Sequence, residues 1–296
     1  MNPMFSPYGQ MKSIAANHLR KQVRKECDYV NSDGLLVCGV CGQLRQKYVK
    51  VPDPVPEDHE RMSELLVIAF CRCDEEAEKA EEDKKKAEAE QENLKKLRSL
   101  SLIDEKFKNA TFQYFRKTQY NQRNFRLCER YATAFDKMFA ENRGLLMWGG
   151  VGTGKTFAAS CIANHLLDRG VSVVMTSMIK VIEAIQTGGE KESSIIKRLN
   201  NASLVIFDDL GAERGTDYAI EKVYTVIDDR YRKELPMIFT TNITIKEMLE
   251  ETDTRYARIY DRIIEICHPM QFTGPSWRKA AAAKHFEEMG ILFDES

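Results

Sequence analysis

The sequence predicts an α/β domain with a parallel sheet and a phosphate-binding loop, preceded by a small cysteine-containing module and a charged helix. Residues 149–156 match the pattern G-x-x-x-x-G-K-[ST], and they stand between an apolar strand-like run and a helix-forming segment. A second apolar run, residues 204–207, ends in two carboxylates, and continuous runs of this kind are typical of parallel strands covered on both faces. Strand-like and helix-like segments alternate through this half of the chain, which favours a parallel sheet with right-handed crossovers.

Length and composition limit the possible classes of protein. The chain has 296 residues with a formal net charge of −1, so any basic surface must be local. No apolar run approaches the ~20 residues that a membrane-spanning helix needs. The first residues also lack the apolar core of a secretory signal. We therefore expect a cytoplasmic protein of one or two domains with no membrane partner.

Two charged segments in the first hundred residues are predicted to be helical. Residues 1–26 are polar and basic, and their apolar residues recur at roughly helical spacing, so we expect a short amphipathic helix that packs on the next module. Residues 75–98 are almost entirely Ala, Glu and Lys, with acidic residues four positions before lysines, a pattern that supports an isolated helix. No apolar a/d stripe is present, so we interpret residues 75–100 as a solvated helical linker and not as a coiled coil.

The cysteines cluster near the start of the chain, where five of the eight lie within the first 73 residues. Cys38 and Cys41 form a C-x-x-C motif, and Cys71 and Cys73 form a C-x-C motif that we expect to hold both thiols on one side of an extended chain. In a reducing compartment, such clustering favours a metal site over disulfide bonds. Four thiolates can close a tetrahedral structural zinc site and leave no open position for catalysis. Cys27 could replace one of the four, and unrelated free thiols are the alternative interpretation.

The second half of the chain is assigned in order from residue 101. An aromatic cluster over residues 107–115 precedes a helix predicted from about Asn121 to Glu141. Some of these aromatic residues are candidates to touch a nucleotide base, although core packing is the expected role of most. A helical segment interrupted at Gly188-Gly189 is expected before the third strand. Four strands are predicted, at residues 145–148, 171–176, 204–209 and 237–242, with later helices at about 219–231, 245–249 and 255–264.

The phosphate-loop pattern has a direct chemical explanation. Glycines allow backbone N–H groups to curl around an anion, and the N-terminus of the following helix points at the same anion. Lys155 can reach the β- and γ-phosphates, and the hydroxyl of Thr156 can hold Mg²⁺. The predicted nucleotide-binding residues are Gly149, Gly150, Val151, Gly152, Thr153, Gly154, Lys155 and Thr156.

The two carboxylates at residues 208 and 209 follow a buried strand. In open α/β sheets, ligands bind outside the carboxyl ends of the strands, which is where this pair is expected. We assign Asp208 to Mg²⁺ and Asp209 to the polarisation of the attacking water. A pair of aspartates that only caps a loop is the alternative.

Four motifs occur in an order that resembles AAA+ ATPases. They are residues 149–156, Asp208-Asp209-Leu210-Gly211, Thr240-Thr241-Asn242 and Trp277-Arg278. The Asp-Asp-Leu-Gly form and the short C-terminal end are similar to the DnaC/IstB-like branch, which includes helicase loaders and the ATPase helpers of certain transposases. The similarity covers about residues 101–285. The upstream cysteine module is similar to that of loaders from Gram-positive bacteria and their phages.

The resemblance implies roles for residues that match the family motifs. Asn242 matches the sensor-1 position beside the γ-phosphate, and Arg278 matches the sensor-2 position. Arg262 best matches the arginine finger that acts on a neighbouring subunit, while Arg258 and Arg255 remain alternatives for that role. Two departures stand out. Asp209 replaces the usual glutamate and suggests slow hydrolysis, and only 24 residues follow Phe272, which implies a short lid.

The resemblance also implies an organisation and a function. We expect an N-terminal zinc-binding, partner-binding module (residues 1–74), a charged helical linker (75–100) and an AAA+ ATPase domain (101–296). The implied function is ATP-dependent loading of a replicative hexameric DNA helicase, with ATP, Mg²⁺ and structural Zn²⁺ as cofactors. Single-stranded DNA and further copies of the chain are the other expected partners. One alternative function for the same fold is that of a transposase helper. A non-enzymatic alternative is an adaptor that uses ATP only as a folding ligand.

Overall fold

The structure is a computed structural model that describes residues 25–52, 62–187, 191–213 and 215–294. The chain divides into two compact units, Met1–Glu90 and Gln91–Ser296. Almost all of the helix expected over residues 1–26 lies outside the described residues, as does the expected break at Gly188-Gly189. Among the described residues, no helix combines the length and apolar character needed to cross a membrane.

The first unit contains two small antiparallel hairpins and the start of a long helix. Strands β1 (Tyr29–Val30) and β2 (Leu36–Val37) pair with each other, as do β3 (Gln46–Pro52) and β4 (Met62–Ile68). The turn between β1 and β2 forms because the Asn31 side chain accepts the N–H groups of Asp33 and Leu35 at 3.1 and 2.9 Å. Helix α1 (Arg72–Leu100) follows, and none of its residues is buried.

The second unit is built on a five-stranded sheet in the order β6-β7-β8-β5-β9, with every pairing parallel. This sheet confirms the predicted fold class. Its strands are β5 (Gly144–Gly149), β6 (Val173–Ser177), β7 (Leu204–Leu210), β8 (Met237–Thr241) and β9 (Cys267–Phe272).

Helices cover the sheet, and two short 3₁₀ turns, Glu105–Phe107 and Phe112–Tyr114, precede the first of them. The helices of this unit are α2 (Gln122–Thr133), α3 (Phe135–Ala140), α4 (Lys155–Asp168), α5 (Met178–Gln186), α6 (Glu192–Asn201), α7 (Asp217–Arg232), α8 (Ile245–Leu249), α9 (Thr254–Ile266) and α10 (Trp277–Asp294).

Alternate residues of the strands enter two separate buried clusters. On β5, Leu145 and Met147 belong to the cluster that includes α2 and α4, whereas Leu146 belongs to the cluster that includes α7 and α9. On β7, Ile206 and Val205 divide in the same way. Both faces of the sheet are therefore covered, which is why these strands are continuously apolar in sequence.

The single helix predicted from Asn121 to Glu141 is wrong, because the structure has two helices separated at Ala134. The N–H of Ala134 closes the first helix on the carbonyl of Arg130, and its own carbonyl accepts the first bonds of α3. The break turns Phe135 into the core, where its ring lies 6.0 Å from that of Tyr131. Apolar spacing continues across the break, so the sequence pattern does not reveal it.

Candidate functional site

The phosphate loop connects β5 to α4 and depends on glycine. Gly149, Gly152 and Gly154 have φ values of +139°, +79° and +101°, a region that side chains with a Cβ rarely adopt. A Cβ on Gly149 would also lie 2.1 Å from the carbonyl oxygen of Phe272 on β9. Gly154 is the N-cap residue of α4, so the loop leads directly into a helix N-terminus that favours anions.

Lys155 joins the phosphate loop to the end of β8. Its Nζ donates to the carbonyl oxygens of Gly149 and Gly150 at 2.8 and 2.9 Å and to Oδ1 of Asn242 at 2.9 Å. Burial lowers the pKa of the Lys155 ammonium, while the carboxylates of Asp209 and Asp208 act in the opposite direction. The structure therefore brings the predicted phosphate-binding lysine and the predicted sensor-1 residue into contact.

Asp208 is held by two hydroxyl groups. Thr156 and Thr240 both donate to its Oδ1, at 2.9 and 2.6 Å. Burial raises the pKa of the Asp208 carboxyl, and the two hydrogen bonds oppose that rise. A carboxylate and a hydroxyl at this distance are hard oxygen ligands of the kind Mg²⁺ takes, so Thr156 and Asp208 fit the magnesium assigned to them.

Asp209 faces a cavity of about 540 Å³ at the carboxyl end of the sheet. Residues of the phosphate loop and Asn242 line the same cavity, together with Arg278 from the first turn of α10. Aromatic residues from the segment before α2 complete the wall, among them Tyr114 and Phe115. The residues assigned to nucleotide, magnesium, sensor-1 and sensor-2 roles therefore lie in or directly behind one cavity, and its size suits a bound small molecule.

Arg262 is not among the residues that line this cavity. Its guanidinium donates to Oδ1 of Asp228 and to the hydroxyl of Tyr224, each at 2.8 Å, from helix α7. It also lies 4.8 Å from the centre of the Tyr224 ring and 5.6 Å from that of Tyr231. Within one chain, Arg262 is therefore held on α7, away from the phosphate loop.

The other two arginines of α9 differ from Arg262 and from each other. Arg255 is paired with Asp253 and Asp217. Arg258 is exposed, and its guanidinium makes no hydrogen bond or ion pair with any residue that the structure describes. None of the three lines the nucleotide cavity of its own chain, which is the arrangement expected of an arginine finger that acts on another copy.

The four cysteines predicted to bind zinc come together in the first unit. The sulfur atoms of Cys38, Cys41, Cys71 and Cys73 all lie within 4.8 Å of one another. The expectation of an extended C-x-C segment is wrong, because Cys73 lies in the first turn of α1 and Cys71 immediately precedes that helix. Cys27 is exposed and is not part of this cluster.

The chemistry of the cluster fits a metal held by thiolates. Backbone N–H groups of Cys41 and Val40 lower the pKa of the Cys38 thiol to about 6. Buried Arg45 lies beside the cluster, where its Nη2 is 3.7 Å from Sγ of Cys71. These groups favour negative charge on sulfur, which a zinc site needs because the thiolate is the ligand.

Arg45 is a residue that the sequence did not single out. Its guanidinium pairs with Asp28 at 3.0 Å and with Asp74 of α1 at 2.6 Å. It thereby ties the chain before β1 to the first turn of α1, on either side of the cysteines. A lone arginine between two hairpins carries no local pattern, so no sequence signal marks it.

The second unit of the chain is similar to proteins of known name. A family model described as IstB-like ATP binding protein matches residues 80–285. The replicative helicase loader DnaI of Bacillus subtilis is 26% identical over 165 residues, which are 50% of this chain and 53% of that protein. The replicative helicase loader DnaC of Escherichia coli K12 is 27% identical over 160 residues, 52% of this chain and 63% of that protein.

A crystal structure of DnaI has the same fold, with a TM-score of 0.51 at 21% identity over 61% of this chain and 98% of that chain. The matched region spans less than two thirds of the length of either named loader.

Proposed function

The chain belongs to the family of IstB-like ATP-binding proteins, and from this premise we propose that it is an ATP-dependent loader of a replicative DNA helicase. The observation that carries the proposal is the pairing of two features. A nucleotide site lies in a domain similar to proteins named replicative helicase loaders, and a four-thiol module precedes it. ATP binding and hydrolysis would control when the helicase is held and released, and the separate cysteine module would provide the surface that contacts the helicase.

We infer a slow ATP hydrolysis in which each residue has a stated task. The phosphate-loop N–H groups and Lys155 would bind the β- and γ-phosphates, and Thr156 and Asp208 would hold Mg²⁺, which would supply neutralisation of the phosphate charge. Asp209 orients and polarises the attacking water, with Asn242 beside it. Arg278, from the first turn of α10, lines the same cavity and is the sensor-2 residue of this proposal.

The first unit is proposed to bind structural zinc and to contact the helicase. Cys38, Cys41, Cys71 and Cys73 supply four thiolates in the tetrahedral set that zinc prefers. Large apolar side chains on this unit are exposed, and exposed apolar groups of this kind mark protein contact surfaces. Among the described residues of this unit, those more than half exposed are Tyr29, Val30, Val40 and Tyr48.

Single-stranded DNA is the third proposed partner, bound by the ATPase unit through backbone charge and base stacking. An exposed lysine on α6 supports this part of the proposal. Lys197 is exposed on α6, whereas Lys180 on α5 pairs with Asp104 at 2.7 Å. Self-association is proposed as well, because the arginines of α9 do not line the cavity of their own chain and could complete the site of another copy.

A transposase helper is the second candidate, because the matching family model is described by the IstB name. The thiol module favours the loader, since the transposase helpers in this resemblance usually carry a different N-terminal region. The two candidates differ in the partner that each must bind, so partner identity separates them.

Capture from the native host tests the proposal. The tagged full chain is expressed in the organism, cross-linked, recovered in the presence of ATP, and its partners are identified by mass spectrometry. We expect the hexameric replicative helicase, with Cys38→Ala losing the helicase and Cys27→Ala keeping it. Recovery of a transposase would select the second candidate, and recovery of neither would contradict both.

A further inference from the structure

The two aspartates at the nucleotide site lie in an irregularity of the sheet. Strand β7 pairs with β8 in regular register up to Phe207 opposite Phe239, and the pairing resumes at Leu210 opposite Thr241. Asp208 and Asp209 therefore face a single residue, Thr240, on the neighbouring strand. Two residues opposite one is the definition of a β-bulge, a feature that re-aims side chains next to active sites.

The hydroxyl of Thr240 contacts both members of the aspartate pair. It donates to Oδ1 of Asp208 at 2.6 Å and accepts the backbone N–H of Asp209 at 3.0 Å. Thr240 is fully buried, so water does not compete for either bond. A threonine hydroxyl has one donor proton, and here that proton is directed at the carboxylate assigned to magnesium.

Asp209 needs such support because its backbone is unusual. Its φ of +55° lies in the left-handed region, which is uncommon for any residue other than glycine. Conformations of this kind persist when the surrounding structure holds them in place. The bulge also removes the regular ladder partner of the Asp209 N–H, and the Thr240 hydroxyl replaces it.

We propose that Thr240 is a positioning residue for ATP turnover: one hydroxyl orients the Asp208 carboxylate beside Thr156 and holds Asp209 in the bend that faces the cavity. This assignment rests on the proposed ATP hydrolysis. It adds a residue that does not line the cavity but sets the geometry of both acids. Thr240→Val keeps the shape of the side chain and removes only the hydroxyl, and Thr240→Ser keeps the hydroxyl.

Thr241 supplies a matched control on the adjacent position. It is also fully buried, and its hydroxyl donates to the carbonyl of Leu210 at 2.8 Å and accepts the N–H of Ile243 at 3.1 Å. Neither bond reaches an aspartate side chain. Thr241→Val therefore removes a buried hydroxyl from the same strand without touching Asp208 or the N–H of Asp209.

The test compares the full chain with Thr240→Val, Thr240→Ser and Thr241→Val. The affinity for a slowly hydrolysed ATP analogue is measured once with EDTA and once with Mg²⁺, and ATP turnover is measured separately. In EDTA, Thr240→Val is expected to bind the analogue as tightly as wild type. In Mg²⁺, its affinity for the analogue is expected to be about 10-fold or more below that of wild type, and its kcat about 10- to 100-fold lower. Thr240→Ser is expected to restore both quantities, and Thr241→Val is expected to lower only the melting temperature.

The possible outcomes separate the assignment from the function on which it rests. If Thr240→Val responds to Mg²⁺ and turns over like wild type, the assignment is overturned. Equal losses in Thr241→Val and Thr240→Val would also overturn it, since a merely structural hydroxyl would then explain both. A wild-type chain that does not bind the analogue would overturn the proposed function and the assignment together.

A measurement on the wild-type chain applies if Thr240→Val does not fold. The Asp209 amide is expected to exchange slowly with deuterium, because it is hydrogen-bonded to a buried hydroxyl. Fast exchange in a folded protein would overturn the assignment.

Discussion

The nucleotide site and the cysteine cluster hold their polar groups in different ways. At the nucleotide site, Lys155 contacts Asn242, and Asp208 accepts bonds from Thr156 and Thr240, so helix α4, strand β7 and the end of strand β8 meet in a packed sheet domain. The cysteine cluster is made by short hairpins and the first turn of a solvated helix. The nucleotide site is organised by the packed sheet domain, whereas the described residues of the first unit bury few apolar side chains around the cysteines.

The thiol pKa values sharpen this difference. Backbone N–H groups lower the pKa of Cys38 to about 6, whereas hydrogen bonding with Cys41 raises the pKa of Cys73 to about 12. Burial also raises the pKa of Cys71. The pKa shifts of these thiols therefore oppose one another, and four thiolates held this close together need a cation. We infer that metal binding and folding are coupled in the first unit and independent in the second.

The largest expected effect is the loss of zinc. Cys38→Ala should remove about one zinc per chain and unfold the first unit, because structural zinc sites contribute much of the folding energy of small domains. ATP affinity should stay at the wild-type value. On the same sample, metal analysis measures the zinc content, amide hydrogen exchange measures the folding of the first unit, and nucleotide titration measures the ATP affinity.

Cys27→Ala is the control for that experiment, since Cys27 is exposed and outside the cluster. It should retain zinc. If the first unit of purified wild-type protein were folded without metal, the proposed coupling of zinc binding to folding at the cysteine cluster would be contradicted.

The second effect is confined to the nucleotide site. Lys155→Ala should abolish measurable ATP binding, because the ammonium that reaches the phosphates is lost, while zinc content remains unchanged. Equilibrium titration with a fluorescent ATP analogue measures the change. Asp209→Asn is the matched variant, expected to bind ATP and fail to hydrolyse it. Wild-type affinity in Lys155→Ala would show that the nucleotide lies elsewhere.

The parallel sheet and its loop follow from local patterns, whereas several features of the structure depend on long-range contacts. The glycine pattern and the apolar strands are visible in sequence because backbone geometry and burial dictate the residue types. Strand β9 is not among the predicted strands, since it contains Pro269 and proline is uncommon inside a sheet. Its place at the sheet edge explains why a proline is tolerated there.

Other parts of the two sites depend on contacts between distant residues. The role of Thr240 requires knowing the β7–β8 register, and the position of Arg45 requires knowing how two hairpins meet the first turn of α1. The α9 arginines share one helical face in sequence, but only the structure shows that Arg262 is held by Asp228 and Tyr224 while Arg258 has no such bond to any described residue. Sequence spacing defines candidates in these cases, and the tertiary fold distinguishes between them.

The third effect concerns turnover in mixed assemblies. Arg262→Ala and Lys155→Ala should each be inactive alone, since one lacks the finger and the other lacks its own site. An arginine that acts on phosphoryl transfer contributes about 10³- to 10⁵-fold in related systems. Mixing the two variants should restore part of the ATPase activity, because some interfaces then pair an intact site with an intact arginine.

The same mixing experiment applied to Arg258→Ala and Arg255→Ala identifies the finger. If Arg262→Ala hydrolysed ATP at the wild-type rate, Arg262 would not be the finger, and Arg258 or Arg255 would be assigned that role. If no arginine variant recovers activity when mixed with Lys155→Ala, an arginine acting between copies is contradicted.

The smallest expected effect is on DNA. Lys197→Glu should weaken single-stranded DNA binding modestly and reduce the dependence of log affinity on log salt by about one unit. Lys85→Glu on α1 makes the same charge change on another exposed lysine and should leave both quantities unchanged. Fluorescence anisotropy with a labelled oligonucleotide at several salt concentrations measures this. If Lys197→Glu and Lys85→Glu had the same DNA affinity and salt dependence, the proposal that α6 contacts DNA would be contradicted.

Loading of the helicase onto DNA tests the central claim most directly. The hexameric replicative helicase of the host is incubated with circular single-stranded DNA, ATP and the full chain, and the helicase retained on the DNA is quantified. The account predicts that the wild-type chain raises the retained helicase several-fold, and that neither Lys155→Ala nor Cys38→Ala does so. Retention that is unchanged by the wild-type chain, or is raised equally by Lys155→Ala, would contradict an ATP-dependent loader.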